Sequence, residues 1–207
     1  LKASKQVKEP ALGIKLVNID VDKGNKIINS FYNVRIFENA PDVHYVGKIH
    51  EEPYRDNKPL MGAIVPANLL TIYHTGYSTS ISLSKSERNL KLLLEELTTT
   101  DKPERIYSYL ADCYYTLKDW ANVEKYARLD VETRENQSNR SMRLLIECLE
   151  KDPSRLDECF EVTKLALKRF PKLPEFSAKL ADCLSKKGDY RGAVAEMKRA
   201  IDKAKNY

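Results

Sequence analysis

Leu110-Ala111-Asp112-Cys113 recurs as Leu180-Ala181-Asp182-Cys183, 70 residues further along the chain. The same offset carries Asp119-Trp120 onto Asp189-Tyr190 and Val123 onto Ala193. Self-similarity at a fixed offset is a strong constraint on fold: each copy is one supersecondary unit that buries its apolar face only by stacking on the next. An offset of 70 is about twice a 34 to 36 residue period, which predicts a divergent copy between the two. Leu145-Ile146, Leu149, Cys159, Ala166 and Pro171 stand at the corresponding places, and Lys151-Asp152-Pro153-Ser154 lengthens the inner turn. Three stacked helical hairpins are expected. A leading helix precedes them, with Leu90, Leu93, Leu94 and Leu97 on one face. It closes at Thr98-Thr99-Thr100-Asp101-Lys102-Pro103, and Pro103 suits the first turn of the next helix.

The part before these helices has a different period. Ile14, Leu16, Val17, Ile19 and Val21 partly alternate and predict a strand over residues 13–22. Asp22-Lys23-Gly24-Asn25 is a turn signal, because Gly and Asn tolerate positive φ. Residues 27–37 are again β-rich, Glu38-Asn39-Ala40-Pro41-Asp42 is a second turn, and a short strand follows over 43–49. Residues 52–60 hold two prolines and four charged residues and are expected to be a loop. Leu69, Leu70, Ile72 and Tyr73 predict a buried strand that ends at His74, before a Ser/Thr/Gly-rich loop over 75–84. The expected class is α+β: a small β-rich domain over 1–84, a meander or set of hairpins, followed by an all-α solenoid over 85–207.

Net charge is +5 with pI near 8.9, but the Lys and Arg residues are interspersed with Asp and Glu, which argues against nucleic-acid binding. No apolar run approaches the roughly 20 residues that span a bilayer, and there is no signal-peptide core. Cys113, Cys148, Cys159 and Cys183 lack C-x-x-C spacing, so no zinc site is implied. Their apolar-periodic positions predict buried free thiols, which fits a reducing, cytoplasmic setting. The chain opens on Leu1 rather than Met, which suggests a piece of something longer.

All three histidines, His44, His50 and His74, lie within residues 43–78. His50-Glu51 after a strand can place a general base beside a hydrogen-bond donor, or can be a surface pair. His74 ends a strand two residues before Gly76. That suits an imidazole meeting a metal or phosphate, since Gly allows close backbone approach; the alternative is a satisfied core histidine.

The helical copies resemble tetratricopeptide (TPR) repeats in the small residue after Leu110, Tyr114 three later, the Asp-aromatic turn at Asp119-Trp120, and Gly188-Asp189-Tyr190 with Ala193 and Ala200. Over residues 13–205 the order Arg35-Ile36-Phe37, Ile49-His50-Glu51, His74-Thr75-Gly76-Tyr77, and Lys85 with Arg88-Asn89 resembles the C-terminal part of a bacterial family 2, GT-A-type glycosyltransferase with appended TPR repeats. That resemblance implies a sugar moved from a nucleotide-diphosphate donor to an acceptor. His74 would be a ligand of a divalent metal, Mn or Mg, in the full-length parent, and the fragment alone requires none. Glu51, with His50 beside it, would be the general base, and Lys85 and Arg88 would neutralise the leaving diphosphate. The family's nucleotide-binding half, which ends in Asp-x-Asp, is missing, since fewer than 50 residues precede Ile49-His50-Glu51. Asp20-Val21-Asp22 spells that motif but reads as a turn-flanking pair. The fragment is therefore expected to be inactive alone. The other function class is a TPR-type protein-interaction module without catalysis, whose partner would be a protein or peptide on the helical face.

Overall fold

The computed structural model describes residues 11–47, 49, 51–134 and 139–206. The chain divides into two compact units, Leu1–Glu96 and Leu97–Tyr207. The first is β-rich and the second is a helical repeat, so the class is α+β.

In the first unit, β1 (Ala11–Asp20) and β2 (Lys26–Phe37) form a long antiparallel hairpin. The turn between them is a short 3-10 segment closed by Gly24 and Asn25, both at positive φ (64° and 61°). Next come β3 (Val43–Val46), β4 (Glu52–Arg55) and β5 (Lys58–Pro59), which make a separate three-stranded antiparallel sheet. β6 (Ala63–Ile64) and β7 (Thr71–His74) then return to β1 as parallel partners, and α1 (Thr79–Leu97) follows. β1 is thus the central strand, and this explains its near-continuous apolar run and the burial of Leu12, Ile14, Leu16 and Val17. Residues 52–60, expected as a loop, instead carry β4 and β5 around Asp56-Asn57. Both of these residues have positive φ (50° and 58°), the backbone of a tight two-residue hairpin turn. The strand expected before His74 is present, yet Ile72 and Tyr73 on it are exposed. The expected boundary at 84/85 falls inside α1, which belongs to the first unit up to Glu96.

The second unit stacks three helical hairpins: α2 (Tyr107–Leu117) with α3 (Trp120–Thr133), α4 (Asn139–Glu150) with α5 (Leu156–Arg169), and α6 (Pro174–Lys186) with α7 (Tyr190–Lys205). The recurring Asp of the sequence repeat is a helix cap. Asp119 accepts from Asn122 N–H at 3.2 Å and Asp189 from Gly192 N–H at 2.8 Å, each satisfying a free donor of the first turn. Small and branched residues let the helices approach: Leu110, Ala111, Val123, Ala127, Leu149 and Ala166 are fully buried. Cys113, Cys148 and Cys183 hold the same place on α2, α4 and α6, 35 residues apart, and all four cysteines are buried free thiols. Across the α3–α4 packing, Ser141 Oγ donates to the buried carboxylate of Asp130 at 2.7 Å.

On the helical unit, Arg155 donates to both oxygens of Glu124 (2.7 and 2.8 Å), and Arg128 bridges Glu124 to Glu158. Hydrogen bonds from Arg155, and then those from Arg128, hold the Glu124 carboxyl down to about 2. A carboxyl depressed on folding stabilises above its unfolded pKa of about 4.3, and that stabilisation drains away as pH falls toward 2. Glu124→Gln is accordingly expected to cost about 1 kcal/mol at neutral pH, allowing for the partial exposure of the pair. The gap to wild type should close in thermal melts between about pH 4.3 and 2. A gap of equal size at both ends of that range would refute the assignment.

Candidate functional site

The end of β7 is built by side chains that the β1–β2 turn and α1 hold together. Asn18, a buried polar residue near the C-terminal end of β1, donates through Nδ2 to Asn29 Oδ1 (2.7 Å). Its own Oδ1 therefore accepts from His74 Nδ1–H at 2.9 Å, which leaves the lone pair of the neutral ring on Nε2, the nitrogen beside Gly76. Gly76 lies under that ring: a Cβ there would sit 2.6 Å from His74 Nε2 and 3.4 Å from Lys85 Nζ. Lys85 reaches back from α1 to donate to Gly76 O (3.3 Å) and lies over the Tyr77 ring at 4.3 Å. Tyr77 in turn meets His74 edge-on at 5.6 Å. Desolvation lowers the pKa of His74, with the charges of Lys85 and Arg35 adding to it. Desolvation also lowers that of Lys85, with Arg88 second. The imidazole is a neutral group beside cations.

Of the residues singled out in the sequence, the structure brings His74 and Lys85 together at Gly76. Arg88 is exposed on α1, where its guanidinium donates to Asn89 Oδ1 (3.0 Å). Glu51 is exposed in the segment before β4, and His50 lies outside the described residues. Asp20 and Asp22 cap α1. Asp20 accepts from Thr79 Oγ1 (2.8 Å) and Thr79 N–H (3.2 Å), and Asp22 accepts from Ser80 N–H (2.7 Å). Those bonds, the side-chain bond from Thr79 first, keep the Asp20 carboxyl below the usual carboxylate range. One imidazole lone pair flanked by Lys85 and Arg35 is a poor donor set for a divalent cation, which needs oxygen ligands as well. Among the described residues no group of three His, Cys, Asp or Glu is placed to hold a metal.

A second feature lies wholly in the helical unit. Along α4 and α6 runs a groove of about 470 Å³ whose floor is Ile146 and Phe176, both fully buried. Its rails are charged. Arg140 donates to Asp112 on α2 at 2.7 Å and lies over the Tyr115 ring, while Tyr115 O–H donates to Glu147 at 3.2 Å. Burial, and then the Glu147 charge, push the Tyr115 hydroxyl pKa up. Arg143 donates to Glu175 at 2.9 Å, and Lys179 to Glu150 at 2.7 Å. The sequence did offer a signal for this surface: Asp112, Glu147 and Asp182 put an acid at the same place on α2, α4 and α6, 35 residues apart.

The architecture defines the class: the second unit is a TPR-like helical repeat. Solved structures with this likeness include several of MamA. MamA from Desulfovibrio magneticus RS-1, residue 41 to its end, is 13% identical over 62% of this chain and 74% of that one, at a TM-score of 0.51. A crystal structure of MamA is 11% identical over 62% and 79%, at 0.52, and MamA from MSR-1 is 15% identical over 63% and 79%, at 0.50. At these identities the likeness is one of fold. No family model and no curated protein matches the chain.

These findings correct the glycosyltransferase resemblance. The solved structures named above are of MamA and none is a glycosyltransferase, so the enzyme assignment, the GT-A remnant and the nucleotide-sugar donor fall together. The physical reason lies in the motifs themselves. Two of the short motifs that suggested an enzyme have structural work to do: His74 ties β7 to β1, and Lys85 ties α1 to the loop at Gly76. Among the described residues, no helix is long and apolar enough to cross a membrane.

Proposed function

We propose that the chain is a protein-interaction module whose helical unit holds an extended peptide of a partner in the groove along α4 and α6. The observation that carries this is the groove's construction: an apolar floor of Ile146 and Phe176 between rails of partly exposed ion pairs. Pairs this exposed contribute about 0–1 kcal/mol each, so Arg140, Arg143 and Lys179 can trade their present acids for those of a ligand at little cost. Ile146 and Phe176 back the groove from beneath, and the aliphatic stems of Arg140, Arg143 and Lys179 along it supply the apolar surface against which a ligand side chain gains. The fold shared with MamA supports the same class of function, since stacked hairpins present an extended face of this kind.

Selection of displayed random peptides on the 207-residue chain tests the proposal. Enriched peptides should carry acidic residues flanking an apolar one, and Arg143→Ala with Lys179→Ala should weaken them by roughly tenfold or more. Peptides that bind the double variant as well as wild type would show that the groove is not the binding surface.

A further inference from the structure

α7 carries an apolar face that is more exposed than its counterparts on α3 and α5. In α3, which packs on α4, Ala127 and Val131 are 0% and 6% exposed, Trp120 is half-buried, and the ion-paired Glu124 takes the fourth place. In α5, which packs on α6, Thr163 is buried while Leu156, Phe160 and Leu167 are half-buried. The residues in register on α7 are Tyr190, Val194, Met197 and Ile201, and they are 69%, 55%, 43% and 50% exposed. Their spacing puts all four on one face of α7. The edge of this stripe nearer α6 is lined by alanines, of which Ala200 is buried.

The opposite edge is basic. Arg191, Lys198 and Lys205 follow one another at intervals of seven, two helical turns each, so they form a row beside the stripe. Arg191 and Lys198 are exposed and make no ion pair among the described residues, while Lys205 meets only the exposed Asp202, at 3.9 Å. Such a row determines which helix can lie here. An antiparallel second α7 would bring the same cations against this edge, and like charges facing each other oppose association. A helix with acids along one flank would meet the row with opposite charge.

We propose that this face of α7 docks an amphipathic α-helix of a partner protein, with apolar side chains on Tyr190, Val194, Met197 and Ile201 and acidic side chains along Arg191, Lys198 and Lys205. The docked helix would lie on α7 much as α4 lies on α3 and α6 on α5. This surface is distinct from the groove along α4 and α6, so either can be lost without the other.

The probe is a synthetic 16-residue amphipathic peptide with leucines on one face and glutamates along one flank, read by fluorescence anisotropy against the 207-residue chain. It should bind, and more weakly as salt screens the charges. The same peptide with lysines for the glutamates should bind at least roughly tenfold more weakly. Met197→Glu with Ile201→Glu should abolish binding with helix content unchanged, since both side chains face solvent in the free chain. Arg191→Glu with Lys198→Glu should reverse the preference toward the lysine peptide, and this second variant keeps the test open if the first misfolds. Equal binding of the two peptides would overturn the proposal, as would binding that survives Met197→Glu. Self-association of the chain in sedimentation equilibrium that is lost in Met197→Glu would also overturn it, assigning the face to a second copy.

Discussion

Phe176→Ala lowers the stability of the helical unit by about 3–5 kcal/mol, the range for removing a fully buried aromatic ring. Phe176 is 1% exposed in the first turn of α6, and its ring lies 6.0 Å from that of Phe170 at the end of α5. The side chain therefore joins the second hairpin to the third, and its loss opens a cavity at the seam between repeats. Urea unfolding followed by circular dichroism measures the effect. A loss below about 1 kcal/mol would mean that the site collapses around the gap or that the ring is not packed as described. The same variant removes the floor of the proposed peptide groove, so selected peptides should be lost with it.

Gly62→Ala detaches β6 from β1 and costs the first unit about 1–3 kcal/mol. A Cβ on Gly62 would sit 2.7 Å from the carbonyl carbon and oxygen of Ala11 and 2.9 Å from Leu12 N. These are backbone atoms of the central strand and cannot swing aside. The parallel register Leu12 to Ala63 and Gly13 to Ile64 must give way, and with it the bond from Val65 N–H to Gly13 O (2.9 Å). Hydrogen exchange should show faster exchange at the Val65 amide, and an unchanged rate would contradict the close approach. Gly24 is the contrast: a Cβ there meets nothing within 4 Å, so Gly24→Ala bears only the strain of φ at 64°, about 1 kcal/mol.

The helical unit was largely legible in the sequence because its determinants are local and periodic. The repeated Asp119 and Asp189 cap helices, and Leu110, Ala111, Leu180 and Ala181 pack the hairpins wherever the pattern recurs. The β-rich unit was legible in its first hairpin, in β3 and in the strand before His74, but not in β4 and β5. Pro53, Pro59 and the charges around them argue for a loop, yet the Asp56-Asn57 turn closes β4 onto β5. Ile72 and Tyr73 read as buried because they are apolar, but burial also needs a layer to cover them, and β7 lies at the edge of its sheet. The association of His74 with Lys85 could be anticipated from the glycine between them. Asn18, which orients the imidazole, looked like an interruption in an apolar strand. The groove was harder to see. Arg140, Arg143, Glu175 and Lys179 are ordinary surface residues in one dimension, and only the stacking of α4 on α2 and α6 on α4 makes their charges face one another. The enzyme resemblance failed for a related reason: short runs of common residue types take their meaning from what they touch.

The thiols placed along the array make it a clock for its own breathing. Hairpin one holds Cys113, hairpin two Cys148 and Cys159, and hairpin three Cys183, every one of them shut away from solvent. Burial pushes the thiols of Cys113 and Cys148 up to about 11, so at neutral pH neither is a nucleophile while its hairpin is closed. A thiol reagent therefore reaches Cys113 and Cys148 chiefly during an opening of the helices around them. Because stacked repeats open in local cooperative units, the order in which the cysteines are consumed records which hairpin lets go first.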